Sequence, residues 1–143
     1  DVPGVIVHGS RVRVVLERAN EAAGYLKVQG VFSGHRHQDY YNVINDIHYL
    51  QINSMSYYWM GSEYRRLRYS AGTDKEFPWV KDTAPYKDPI WAVVSVYRNG
   101  EYRLTGMSTD FLAPSPAEMG MPVYEKIYPV VAKISNRTFR IKK

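Results

Sequence analysis

Two histidines one residue apart, His35 and His37, close an apolar run that reads Val31-Phe32-Ser33-Gly34-His35-Arg36-His37-Gln38. Side chains at i and i+2 of an extended segment share a face, so both imidazoles can reach one metal site. Gly34 lets the backbone turn sharply, or approach closely whatever the histidines hold. On spacing alone His-x-His also describes two polar loop side chains, and the surrounding elements must decide between the readings.

Those elements have clear signals. Ser10 fits a helix N-cap, its hydroxyl accepting from free amides of the first turn. Val12, Leu16, Ala19 and Ala23 then recur at helical spacing, widened by Val15, Ala22 and Leu26. Arg11, Arg13, Glu17, Arg18 and Glu21 take the opposite face, and Gly24 is a suitable stop. The pattern predicts an amphipathic helix of about four turns, packed on a sheet by one face. Residues 28–33 are short and apolar enough for a buried strand. A helix followed by a buried strand with ligands at its tip is an α/β layer, where sites gather at strand ends. Beyond the histidines, Asn45-Asp46 suits a two-residue hairpin turn between residues 40–44 and 47–52. His48 alternates with Ile47 and Tyr49 and is expected to pack across strands. His8, behind the short run Val5-Ile6-Val7, is expected to be a polar residue before the helix.

Helix, strand, Gly34-His35-Arg36-His37 and hairpin together resemble the last metal-binding motif of the calcineurin-like metallophosphoesterases, written Gly-His-x-His in that family. The resemblance spans residues 8–53, and more loosely a hairpin over 91–107. It implies an αββα sandwich holding two divalent ions (Mn, Fe, Zn or similar), with His35 on one ion and His37 on the other. It also implies hydrolysis of phosphomonoesters or phosphodiesters, with Tyr40, Tyr41 and Trp59 near the substrate. The other motifs of that family are not found: no Gly-Asp-x-x-Asp, no Asn-His, and no Asp-x-His ahead of Gly34. Asp46 stands where family members often carry glycine. Two neutral imidazoles cannot balance a dinuclear cluster of about +4 without carboxylates. The expectation is therefore the C-terminal half of such a domain, α/β and mainly β, inactive alone. It would associate with the missing N-terminal part or with itself.

Past residue 53 the chain is β-rich. Residues 54–70 interleave Tyr57, Tyr58, Trp59, Tyr64 and Tyr69 with Arg65, Arg66 and Arg68. These fit a sheet cover, a pocket wall or a stacking surface for nucleic acid. Residues 71–89 read as a long loop whose Phe77, Trp79 and Tyr86 need burial. Asn99-Gly100 between two β-rich runs marks a hairpin, and residues 130–134 and 138–141 suggest a final strand pair. All of this is read as one domain, 1–53 forming the helix–strand–hairpin core and 54–143 its β-rich remainder. Composition permits that: 143 residues, 45% apolar and 23% charged. The absence of cysteine excludes disulfides and thiolate chemistry. No run is long enough for a membrane helix. A net charge of +5 with pI near 9.4 suits an anionic partner. The competing reading is a basic, aromatic-rich β module that binds nucleic acid or glycan without catalysis.

Overall fold

A computed structural model describes residues 9–121 and 130–140. The chain is mixed α/β, with one long helix and, among the described residues, eight strands in three small sheets. Helix α1, Gly9–Ala23, stops where Gly24 enters the left-handed region at φ 72° and its amide reaches Asn20 and Glu21 oxygens. It begins two residues earlier than a Ser10 N-cap implies, so Ser10 lies inside the first turn. His8 and Val5-Ile6-Val7 lie outside the described residues.

The first sheet contains β1 (Gly30–Ser33), β2 (Tyr40–Ile44) and β3 (Ile47–Gln51), in the order β1-β3-β2. β2 and β3 form the expected hairpin, with Asn45 and Asp46 at φ 50° and 62°. β3 then inserts beside β1 and runs parallel to it, Val31 against Tyr49 and Ser33 against Gln51. β1 is thus an edge strand in the described sheet, and Phe32 is 46% exposed. The expectation of a buried strand over 28–33 does not hold: the strand is two residues shorter, and among the described residues only one of its edges is paired.

Register sorts the side chains. Tyr41, His48 and Leu50 share one face of this sheet; Tyr40, Asn42, Tyr49 and Gln51 share the other. The second face meets α1, whose Glu17 accepts from Asn45 at 2.8 Å, while Asn20 clasps the Val28 backbone through both amide atoms. Leu16, Ala19 and Ala23 are half-buried there. Val12, Val15 and Ala22 remain exposed, so the helix does not bury its whole apolar stripe. The other face meets a sheet of β6 (Ala92–Val96), β7 (Glu101–Gly106) and β8 (Arg137–Arg140), with Phe139 stacked 4.2 Å from the His48 ring.

The remaining sheet is a pair of short strands, β4 (Tyr57–Trp59) and β5 (Thr83–Pro85). One core of Leu50, Tyr58, Met60, Ala84, Ile90 and Leu104, with further buried neighbours, joins all three sheets. Residues 71–89 are not a continuous loop. Ser70 caps a short helix α2, Ala71–Glu76, by accepting from the Thr73 amide, and residues 83–85 pair with β4. The 91–107 hairpin is present, its turn placing Gly100 at φ 83°. The final strand pair is not: β8 adds to β7, and Ile134 instead donates its amide to the Met107 carbonyl. No helix among the described residues is long and apolar enough to cross a membrane.

Candidate functional site

Because β3 lies between β1 and β2, residues 34–39 must cross the end of the sheet. They do so at the carboxyl ends of the parallel pair β1 and β3, the edge where open α/β sheets place ligands. Gly34 is pinned by Gln51, whose side-chain amide donates to its carbonyl at 2.6 Å. The Arg36 amide then donates back to the same carbonyl at 3.0 Å, with His35 between them at φ 77°. That is a γ-turn of the rare positive-φ kind, a conformation costing about 1–3 kcal/mol for a residue with a Cβ. His37 is also left-handed, at φ 53°. The histidines therefore do not share a face of an extended segment, as the spacing suggested. A tight turn carries them instead.

The turn gives them different surroundings. His35 is exposed at its apex. His37 folds back so that its ring meets Tyr57 edge-on, 4.8 Å between centroids. Its Nδ1 is buried with no hydrogen-bond partner among the described residues. Burial lowers the His37 pKa, the His35 charge lowers it further, and a backbone hydrogen bond at Tyr57 opposes both. His37 is thus favoured as neutral imidazole, the form that ligates metals.

Asp39 fixes the far end of the turn. Its carboxylate accepts from the Ser135 amide at 3.2 Å, the Ser135 hydroxyl at 2.5 Å and the Arg137 guanidinium at 3.0 Å. Sequence reading passed over this anchor because its partners lie almost a hundred residues away.

The expected substrate residues are not brought together. Tyr40 and Tyr41 point to opposite faces of β2. Tyr40 lines a hollow of about 280 Å³ under α1 with Arg13, Ser33, Asn42 and Tyr49. Tyr41 faces Phe139 and sets its hydroxyl 2.8 Å from His48 Nδ1, with the Arg137 guanidinium 5.1 Å over its ring. Trp59 is 44% exposed, two residues beyond Tyr57. Asp46-Ile47-His48 spells Asp-x-His, but His48 is engaged by Tyr41 and Phe139, the packing role expected of it. Two of the arginines are held by partners within the fold. Arg65 grips buried Asp82 through two nitrogens, at 2.7 and 3.1 Å, and Arg68 donates to the Pro114 carbonyl at 2.6 Å. Of the loop aromatics, Tyr86 is buried, its hydroxyl donating to Asn53, whereas Phe77 and Trp79 are exposed.

His48 makes a pH prediction. Burial lowers its pKa from 6.5, with Asp46 partly opposing. The unfolded chain therefore takes up this proton first as pH falls. Stability attributable to His48 is complete above about pH 7.5 and declines as pH drops through 6.5 toward the lowered value. Urea midpoints at about pH 7.5 and about pH 5 are expected to differ less in His48→Gln than in the unsubstituted chain. Equal differences in the two proteins would remove His48 from the acid response.

Comparison with family models, with curated proteins and with solved structures finds no match for this chain. Its functional reading rests on the site itself.

Proposed function

We propose that the chain is part of a dinuclear-metal phosphoesterase resembling the calcineurin-like class, to which His35 and His37 contribute two ligands. The carrying observation is the buried, unpartnered Nδ1 of His37 beside an outward-facing His35, in a strained turn at the carboxyl ends of two parallel strands. A buried polar atom without a partner costs about 1–3 kcal/mol, and coordination would remove that cost. Imidazole nitrogen suits Zn and Fe ions, whereas Mn draws more on carboxylate oxygen.

The donor set fits in part. No group of three or more His, Cys, Asp or Glu gathers among the described residues. The carboxylates such a centre needs come, in this reading, from other residues or another polypeptide. When bound, two divalent ions supply Lewis acidity toward a phosphoryl oxygen and lower the pKa of a water toward about 7. The chain's own part is to hold two imidazoles at fixed geometry: Gln51 pins Gly34, Asp39 locks the exit, and Tyr57 sets the His37 ring.

Zinc titration of the purified chain beside His35→Ala/His37→Ala tests this. The double variant is expected to bind Zn²⁺ at least about tenfold more weakly, while the chain alone hydrolyses p-nitrophenyl phosphate no faster than buffer. Equal zinc binding by the two proteins would sink the proposal.

A further inference from the structure

β4 carries the histidine site toward a second feature. Tyr58 points into the core, so Tyr57 and Trp59 stand together on the opposite face. His37 packs on Tyr57 at 4.8 Å. Trp59 follows about 7 Å further along the strand, the rise of two residues. Trp79, which precedes the single 3-10 turn Val80–Asp82 that leads into β5, lies 6.4 Å from Trp59 with the rings tilted by 48°. From His37 outward the surface is thus a run of rings: imidazole, phenol, indole, indole.

The two indoles do not satisfy each other. A tilt of 48° is no face-to-face stack, and Trp59 and Trp79 remain 44% and 68% exposed. Phe77 beside them is exposed as well. Contiguous exposed apolar surface on a soluble protein marks contact sites more often than chance. Flat rings with free faces suit a flat ligand, and each nucleobase stacked on an aromatic side chain contributes about 1–3 kcal/mol. Charge points the same way. Lys81 follows Trp79 by two residues, and the chain carries +5 overall. An anion that also bears a planar ring matches both properties.

We infer that Tyr57, Trp59 and Trp79 form a stacking subsite for the nucleobase of a nucleotide-type phosphoester whose phosphate faces His35 and His37. The placement of the phosphate rests on the phosphoesterase reading; the stacking surface does not. The phosphate end would meet the histidine turn, and the base would extend along β4 toward the indoles.

Tryptophan fluorescence tests it directly, because the chain has three tryptophans and Trp91 lies outside this run of rings. In a Trp91→Phe background only Trp59 and Trp79 report. Adenosine 5′-monophosphate and adenosine are both expected to quench, and inorganic phosphate is not. Trp79→Ala is expected to raise both half-saturating concentrations about tenfold, and Trp79→Phe to restore most of the affinity. Trp79 is on the surface, so neither change threatens folding. With His35→Ala/His37→Ala, adenosine quenching should persist. Quenching absent for both adenosine compounds, or indifferent to Trp79→Ala, overturns the inference even where zinc binding behaves as proposed. Quenching that depends on Trp79 while zinc binding ignores the histidines leaves the stacking site standing and removes the phosphoesterase reading.

Discussion

Replacing Asp39 with alanine is expected to cost about 3–5 kcal/mol and to release the histidine turn in the same step. The carboxylate is 9% exposed and accepts three hydrogen bonds, two from Ser135 and one from Arg137. Truncation leaves the Ser135 amide and hydroxyl half-buried without that acceptor, and leaves Arg137 with the Tyr41 ring alone among these contacts. Such losses exceed the contact energy, because the partners pay desolvation with nothing in return. Asp39→Asn keeps one carbonyl acceptor and should fall about midway. Urea unfolding of Asp39→Ala, Arg137→Ala and the double variant should show coupling of about 1–3 kcal/mol. Amide exchange across residues 34–39 should quicken, and zinc affinity should fall with it. A stability change within about 0.5 kcal/mol would show that Asp39 anchors nothing.

That anchor marks where sequence reading stops. Local signals were legible: Gly24 ends its helix, Asn45-Asp46 turns its hairpin and His48 packs across strands, each set by neighbours a few residues away. The histidine pair was legible as a pair, since residue type and spacing carry that much. Its conformation was not. Whether His35 and His37 lie extended or fold into a γ-turn depends on Gln51 holding Gly34 and Ser135 holding Asp39, and neither partner is near in sequence. The parallel insertion of β3 beside β1 is hidden for the same reason, because a hairpin signal says nothing of what its outer edge pairs with. Residues 71–89 read as loop because three prolines and several polar residues outweigh one cap, Ser70, and one edge pairing to β4. Trp79 was misjudged by a sound rule. Large aromatics are normally covered, and an exposed one stands out only once its surroundings are known.

The arrangement explains how the turn that carries the two imidazoles can be held rigidly. Among the described residues β1 is paired on one edge only and Val12 and Val15 of α1 are exposed, yet the turn between β1 and β2 is braced from three directions. Gln51 in β3 holds its start, Tyr57 in β4 receives its second ring, and the Ser135–Arg137 segment ties its end. Each brace comes from a different element, so the imidazoles are placed by the tertiary fold and not by the loop's own preference. Two residues at positive φ are consistent with that, since local sequence alone would relax them.

A loss of stability comparable to that of Asp39→Ala is expected from Gly106→Ala, for reasons of space. A Cβ on Gly106 would run into the Ile134 carbonyl oxygen, with the Ile134 carbonyl carbon at 2.7 Å and its Cβ at 2.9 Å. Two of those three atoms are backbone and cannot rotate away. The segment they belong to is itself fixed: Ala132 and Ile134 are core residues, Asn136 accepts from the Gly106 amide at 2.9 Å, and Ser135 holds Asp39. Relief therefore means moving residues 132–136 off β7, which opens the core and withdraws the brace from the histidine turn. A cost on the order of 3 kcal/mol or more is expected, at the upper end of overpacking effects. Gly30→Ala is the control. There the nearest atom, the His48 carbonyl oxygen, lies 3.6 Å away, an ordinary contact. That change should be neutral or stabilise by up to about 1 kcal/mol through the unfolded chain. Urea unfolding of the pair separates close approach from a general intolerance of strand substitutions. If Gly106→Ala matches Gly30→Ala within about 0.5 kcal/mol, the approach of Ile134 to β7 is looser than described, and the coupling from this strand to His37 goes with it.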